Sequence, residues 1–348
     1  MNNEIILHRN EIAASPSQNK LSDLALHYIQ RSKSENTINN YRHSLLLFRR
    51  YMNDEYQMNL EDFRYCLSVT PDMVSNYLSY LTSDERKQRE KLKPLKASSV
   101  QRHHAALAEF FGYVEDQAGK QTLTFVNPVK SVEVKKTMAG IRRELGMTPK
   151  QKRAATPQVI TMILNEIPMD GLTDLRDATM ISLGFAGAFR RSELVALDMD
   201  HLTFDDLGVY IRLEHSKTDQ EGTGMTKLIS YGERAASCPV RLLQRWLRNA
   251  GIKEGAIFRS IRKGGEVGNK ISTRSVATII KARAEQAGLQ GIDFSGHSLR
   301  RGFITHAYES GLAPELIMTH TGHKRFETMR KYIELIDIKK NNVTKGLY

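Results

Sequence analysis

Between residues 130 and 153 the chain changes character, and that break constrains the fold more than any other feature. Lys130, Lys135, Lys136, Arg142, Arg143, Lys150, Lys152 and Arg153 stand there against only Glu133 and Glu144. Gly140, Gly146 and Pro149 lie in the same stretch and work against one long helix. Upstream, the hydrophobic period is helical throughout; downstream, helices and strands mix. A 348-residue chain with one such interruption is expected to form two domains, since domains commonly run to about 100–200 residues. Residues 136–155 read as a basic, flexible linker. It is either a solvated tether or a strap laid across phosphate groups, and the second fits its flanks better.

Residues 1–18 are polar and irregular and read as a loose tail. Residues 19–135 read as a helical domain. Leu24, Ala25, Tyr28 and Ile29 form one apolar stripe; Ile38, Tyr41, Leu45, Phe48 and Tyr51 form a second behind a cap at Ser34 or Asn36. Thr70-Pro71 opens a third helix, with proline in its first turn, over Met73, Val74, Tyr77, Leu78 and Leu81. A fourth starts at Ser98 or Ser99, carries Val100, Ala105, Leu107, Phe110, Phe111 and Val114, and is ended by Asn127-Pro128. The second domain, 156–348 with its C-terminal tail, opens at Thr156-Pro157 and continues with a helix over 172–185. Strands are expected at 201–204, 209–213 and 225–230, the last two joined as a hairpin with a long polar tip over 216–224. Helices follow at 239–249, 273–287, 297–310, 313–319 and 326–336. The fold class is mainly α with a small β-sheet.

Composition narrows the partner. With 51 Lys+Arg against 39 Asp+Glu the net charge is +12, a balance that favours a polyanion such as nucleic acid. Cys66 and Cys238 stand far apart without ligand-spaced neighbours, so they read as reduced, buried thiols rather than a disulfide or a zinc site. No signal peptide or run of about 18 apolar residues is apparent. The expected setting is the cytoplasm, on the nucleoid, with no membrane.

The chemistry-bearing residues cluster late in the chain. Cleaving a phosphodiester requires neutralising its nonbridging oxygens, and guanidinium does so with paired hydrogen bonds. Arg190 sits in Gly187-Ala-Phe-Arg190-Arg191-Ser-Glu193-Leu194, between two apolar segments. Read bare, it is better explained by a structural pair with an acid such as Glu193. His297 and Arg300 are one helical turn apart and share a face, though a lone His-x-x-Arg is common by chance. Tyr332, nine positions after His323, would by itself be a half-buried core tyrosine. No metal cage or cofactor motif is present; Asp198-Met-Asp200 alone is weak.

Order and spacing change that weighing. Arg190, then His297-x-x-Arg300, then Gly322-His323, then Tyr332 resembles the tyrosine recombinase, or phage integrase, family. The matching stretches are AFRRSELVAL, GHSLRRGFITHAYESG and TGHKRFETMRKYI. SENTINNYRHSLLLFRRYM and ASSVQRHHAALAEFFGYV resemble the family's helical, SAM-like core-binding domain, and SGHSLRRGF with YIELID resembles its Cre-like branch.

The resemblance implies a site-specific recombinase that cuts duplex DNA through a 3′-phosphotyrosyl link and a Holliday junction, working as a homotetramer on paired sites. Arg190 and Arg300 would clamp the scissile phosphate and His297 would assist as proton acceptor or donor. His323 would hydrogen-bond a phosphate oxygen and Tyr332 would attack. Lys217, in EHSKTDQEG, matches the family's hairpin lysine that protonates the leaving 5′-oxygen; Lys227 in MTKLIS is the alternative. Glu193 would support the site from behind, and Lys135, Lys136, Arg142, Arg143, Lys152 and Arg153 would meet phosphates. Three departures stand out: Ala188-Phe189 where Gly-Leu is frequent, Arg301 where histidine is, and Thr321 where leucine is usual before Gly-His. None removes a reacting group. The competing readings are a type IB topoisomerase sharing the chemistry, and a DNA-binding protein that kept the fold without catalysis.

Overall fold

The structure, a computed structural model, describes residues 33–147, 153–214, 224–290, 294 and 296–340. The chain forms two compact units that divide between Pro149 and Lys150.

The first unit is helical. Its helices are α1 (Glu35–Tyr56), α2 (Phe63–Leu67), α3 (Pro71–Tyr80), α4 (Asp84–Glu90), α5 (Ala97–Lys120) and α6 (Val132–Leu145). Side chains at Ser34 and Thr70 accept from backbone N–H groups in the first turns of α1 and α3, as N-caps do. The expected stripe Leu24–Ile29 lies outside the described residues. Phe48, Met52, Tyr77, Leu78, Phe111 and Val114 fill the core, with Phe48 edge-on to Tyr77 at 4.9 Å and to Phe111 at 6.0 Å. Helix α4, DERKQRE, has no apolar stripe and was invisible to periodicity. It is held instead by Arg86, which donates to the Lys93 carbonyl, and by Glu90, which accepts from the Tyr80 hydroxyl.

Helix α6 corrects the reading of 136–155 as one flexible linker. Val134, Met138 and Ile141 fall on one face and are buried in the first unit's core. That burial outweighs the roughly 1 kcal/mol disadvantage of Gly140 in a helix, where the missing side chain faces open space. The helix stops at Gly146, at φ +67°, a conformation suited to glycine.

The second unit begins with α7 (Pro157–Asn165), α8 (Leu172–Ala186) and α9 (Arg191–Ala196). Strands β1 (Leu202–Phe204), β2 (Gly208–Leu213) and β3 (Met225–Ser230) form an antiparallel sheet in that order. Val209 pairs with Ile229 and Ile211 with Lys227. The remaining elements are α10 (Pro239–Asn249), the hairpin β4 (Arg259–Ile261) and β5 (Val267–Lys270), α11 (Thr273–Gln286), α12 (Gly296–Glu309), α13 (Pro314–Thr321) and α14 (Phe326–Lys340). The short hairpin β4–β5 is polar and glycine-containing, so no alternation announces it.

Helix α8 is buried along nearly its whole length, from Leu175 to Gly184, and is the axis of this unit. A buried charge network ties it to α11: Arg283 donates to Asp177 at 2.8 Å and to Asp174 at 2.6 Å, while Arg176 donates to Asp177 at 2.6 Å. Helix α12 crosses α8 closely. On α12, a Cβ built on Gly302 would sit 1.8 Å from the carbonyl oxygen of Ala155, in the segment before α7, so only glycine fits there. Ile304, Ala307, Ile317, Met329 and Ile333 form a separate cluster that packs α13 and α14 onto α12. Among the described residues, no helix is long and apolar enough to cross a membrane.

Candidate active site

The site is built around the turn where α8 ends. Gly187 closes the helix, and a Cβ there would collide with the Phe189 ring at 2.1 Å. Ala188 takes φ +48° and is fully buried, which an alanine tolerates only when surrounding packing holds it there. The turn delivers Arg190 to the start of α9. Glu193, buried at 4 % exposure, accepts from the Arg190 backbone N–H at 2.8 Å and from its guanidinium at 2.5 Å. The pairing expected of Arg190 read bare is therefore present, and it also aims the guanidinium.

Three successive carbonyls of this turn receive donors from three different elements. His320 of α13 donates through Nε2 to Ala186 at 2.9 Å, Lys227 of β3 donates to Gly187 at 2.6 Å, and Arg300 of α12 donates to Ala188 at 2.8 Å. The C-terminal end of a helix carries partial negative charge and unsatisfied carbonyls, so it is a natural seat for cations. Lys227 also lies 4.7 Å from the centre of the Phe189 ring, where cation–π attraction adds to the hold. His320 stacks on Phe303 at 4.7 Å.

Helix α12 carries His297 and Arg300 on one face. Arg300 is 1 % exposed, and its second terminal nitrogen approaches His323 at 3.2 Å from Nε2. Gly322, at φ +68°, ends α13 and turns the chain so that His323 points inward. Helix α14 then brings Tyr332 across. Its hydroxyl meets His297 Nε2 at 2.9 Å, and its ring lies 6.0 Å from that of His323.

The electrostatics favour moving the phenol's proton. Burial pushes the Tyr332 hydroxyl above its ordinary value, while Arg300, Arg301 and Arg190 pull it back. Burial and then the neighbouring arginines hold His297 below its ordinary value, so it is neutral near pH 7 and can accept a proton. The same two causes take His323 down to about 3. Burial lowers Arg300 to about 10 and Lys227 to about 7. The pocket thus has an excess of positive groups and suits an anion.

Of the residues singled out from sequence, Arg190, Glu193, His297, Arg300, His323 and Tyr332 come together here. Lys217 lies outside the described residues. Lys227, the alternative for the leaving-group acid, is 2 % exposed and turned to the Gly187 carbonyl. Lys135, Lys136, Arg142 and Arg143 are exposed on α6, and Arg153 is exposed at the start of the second unit; Lys152 lies outside the described residues. His320 was not picked out from sequence, and Thr321 only as a departure from the leucine usual before Gly-His. A histidine beside the Gly-His pair carries no signal of its own, and only the fold shows what either residue contacts.

The profile of the phage integrase family matches residues 153–337, and that of the phage integrase N-terminal SAM-like domain matches 26–118. An integrase/recombinase xerD homolog of Selenomonas ruminantium is 35% identical over 330 residues, covering 94% of this chain and 90% of its own length. Tyrosine recombinase XerC of Caldanaerobacter subterraneus is 25% identical, covering 88% of this chain and 80% of its own. In fold, the chain is similar to XerH site-specific recombinase in a post-cleavage complex with its difH substrate (TM-score 0.63, 17% identity, 94% of this chain and 84% of that one). It is also similar to a lambda integrase dimer bound to a core site (TM-score 0.58, 18% identity, 88% and 74%). With the profile spanning more than half of the sequence and a relative matched nearly end to end, the chain belongs to the phage integrase family and is a tyrosine recombinase, an enzyme that breaks and rejoins DNA.

Proposed function

We propose that Tyr332 attacks the scissile phosphate of a specific duplex DNA site. The 2.9 Å contact between its hydroxyl and His297 Nε2, beside Arg300 and His323, carries this reading. A phenol titrates near 10, so attack at neutral pH needs an acceptor for its proton and cations to stabilise the forming charge. His297 is the acceptor; Arg190, held by Glu193, and Arg300 are the cations. The Tyr332 oxygen bonds to phosphorus, the bond to the 5′-oxygen breaks, and that oxygen leaves as a hydroxyl after taking a proton from Lys217. The 3′-phosphotyrosyl link keeps the bond's free energy, so attack by another 5′-hydroxyl reverses the step and returns the phenol.

The charge pattern supports a phosphate-tracking surface. Lys135 with Arg142, and Lys136 with Arg143, are seven residues apart on α6 and form two exposed basic ridges. Strand exchange between two sites needs four cleavages, hence four protomers, and a Holliday junction between the first and second strand exchange. The lambda integrase tetramer on a Holliday junction is one fold neighbour with that arrangement.

The test is a suicide substrate: nicked duplex from the chain's native locus, incubated with protein and resolved on a denaturing gel. A covalent protein–DNA adduct that vanishes in Tyr332→Phe, while Tyr332→Phe still binds the duplex, supports the assignment. An adduct of equal yield in Tyr332→Phe would remove it. Relaxation of supercoiled plasmid without dependence on a defined site would favour a topoisomerase.

A further inference from the structure

Thr321 is the last residue of α13 and is 1 % exposed. Its hydroxyl oxygen lies 2.7 Å from the Ile317 carbonyl and 2.7 Å from His323 Nδ1. The hydroxyl has one proton, and a carbonyl can only accept. The proton therefore goes to Ile317, and the oxygen is left to accept from His323. Nδ1 must then carry the imidazole's proton, and Nε2 of the neutral ring is bare. The Arg300 guanidinium nitrogen lies almost equally far from the two ring nitrogens, 3.2 Å from Nε2 and 3.3 Å from Nδ1, so it is the Thr321 contact that sets the tautomer.

The consequence appears when a phosphate enters. A neutral ring with a bare Nε2 presents a lone pair to a phosphate oxygen and repels it. We propose that Thr321 fixes His323 in the Nδ1–H tautomer, so that His323 donates to the scissile phosphate only after taking up a proton from solvent on Nε2. This rests on the recombinase reading above and deepens it: cleavage is coupled to one proton taken up with the DNA. The groups facing His323 are Arg300 and His297 from α12, Arg190 from the turn after α8, Lys227 from β3 and Tyr332 from α14. The cations among them, with burial, keep the ring neutral in the free protein. A phosphate offsets that positive field and lets the ring charge. Thr321 is thus a positioning residue, acting through His323.

The test uses the full chain with Thr321→Val and Thr321→Ser. Imidazole nitrogens are read by 15N NMR without DNA, with His323→Gln to assign the signal. Protein and Thr321→Ser should carry the proton on Nδ1; Thr321→Val should shift it to Nε2. Cleavage is then followed at single turnover on a nicked duplex selected from a random pool by binding to the Tyr332→Phe protein. The parent and Thr321→Ser should lose rate about tenfold per pH unit on the alkaline limb. Thr321→Val, whose neutral ring already donates from Nε2, should show a flatter limb. A parent signal with the proton on Nε2 overturns the proposal, and so does an alkaline limb that Thr321→Val leaves unchanged. If Thr321→Val does not fold, the parent spectrum alone decides. Because the tautomer is read without DNA, a parent with the expected tautomer and no cleavage would count against the recombinase reading instead.

Discussion

Replacing Lys227 with methionine should change how stability depends on pH, and the size follows from the burial of one ammonium group. Lys227 has an ordinary value of 10.5, which burial takes down to about 7 in the folded protein, with Arg300 and Arg190 pushing the same way and Glu193 opposing. The folded value is lower than the unfolded one, so the unfolded chain binds more protons between pH 7 and 10.5, and stability of the parent rises with pH across that window. Below pH 7 the full penalty of burying the charge is present; above 10.5 it is gone. At 1.36 kcal/mol per unit, a shift of 10.5 − 7 = 3.5 amounts to about 5 kcal/mol. The 2.6 Å hydrogen bond to Gly187 favours the charged form by about 1.5–3 kcal/mol. The expected gain of the parent over Lys227→Met, from pH 7 to pH 10, is therefore about 2–3.5 kcal/mol. Trp246, the only tryptophan, is fully buried in the second unit. Its fluorescence in urea titrations reports that unit alone and avoids mixing two unfolding transitions. A parent-minus-variant difference that stays flat with pH would refute the reasoning. It would mean that Lys227 holds its ordinary proton affinity despite burial.

Other substitutions probe the same frame. Glu193→Ala leaves Arg190 without its carboxylate partner; single-turnover cleavage should fall at least tenfold and the unit should lose about 3 kcal/mol by Trp246 fluorescence, the cost of breaking a mostly buried pair. Gly302→Ala forces α12 away from Ala155 and should destabilise by about 1–3 kcal/mol, with cleavage reduced because His297 and Arg300 ride on that helix. Lys136→Gln with Arg143→Gln should reduce the slope of log affinity against log salt by about 1 for each phosphate no longer neutralised, measured by fluorescence anisotropy on duplex DNA; an unchanged slope would remove α6 from the DNA surface.

Much of this was legible along the chain. Thr70-Pro71 and Thr156-Pro157 placed two helix starts to the residue, and the choice of Ser34 or Asn36 placed a third within two, because a cap is a contact over three positions. The alternation in Val209–Leu213 and Met225–Ser230 announced two paired strands, and the spacing of Arg190, His297, Arg300, His323 and Tyr332 announced the chemistry. The errors came where packing overrode local pattern. Basic residues with Gly140 and Gly146 made 136–146 look flexible, yet the buried side chains of Val134, Met138 and Ile141 hold 132–145 as a helix. Helix α4 had no stripe to read, because arginine and glutamate anchor it through contacts with Lys93 and Tyr80.

The sequence by itself determined the helical periods, the caps, the surplus of positive charge and which residues are candidates to react. All of these depend on residue type and on neighbours within a turn or two. The tertiary structure decided which groups meet. The carbonyls of Ala186, Gly187 and Ala188 select His320, Lys227 and Arg300 from elements 40 to 134 positions away. The Thr321 hydroxyl finds His323 only because Gly322 turns the chain back. Hydrogen bonds of that kind are set by distances of a few ångströms between distant segments, and no local pattern encodes them.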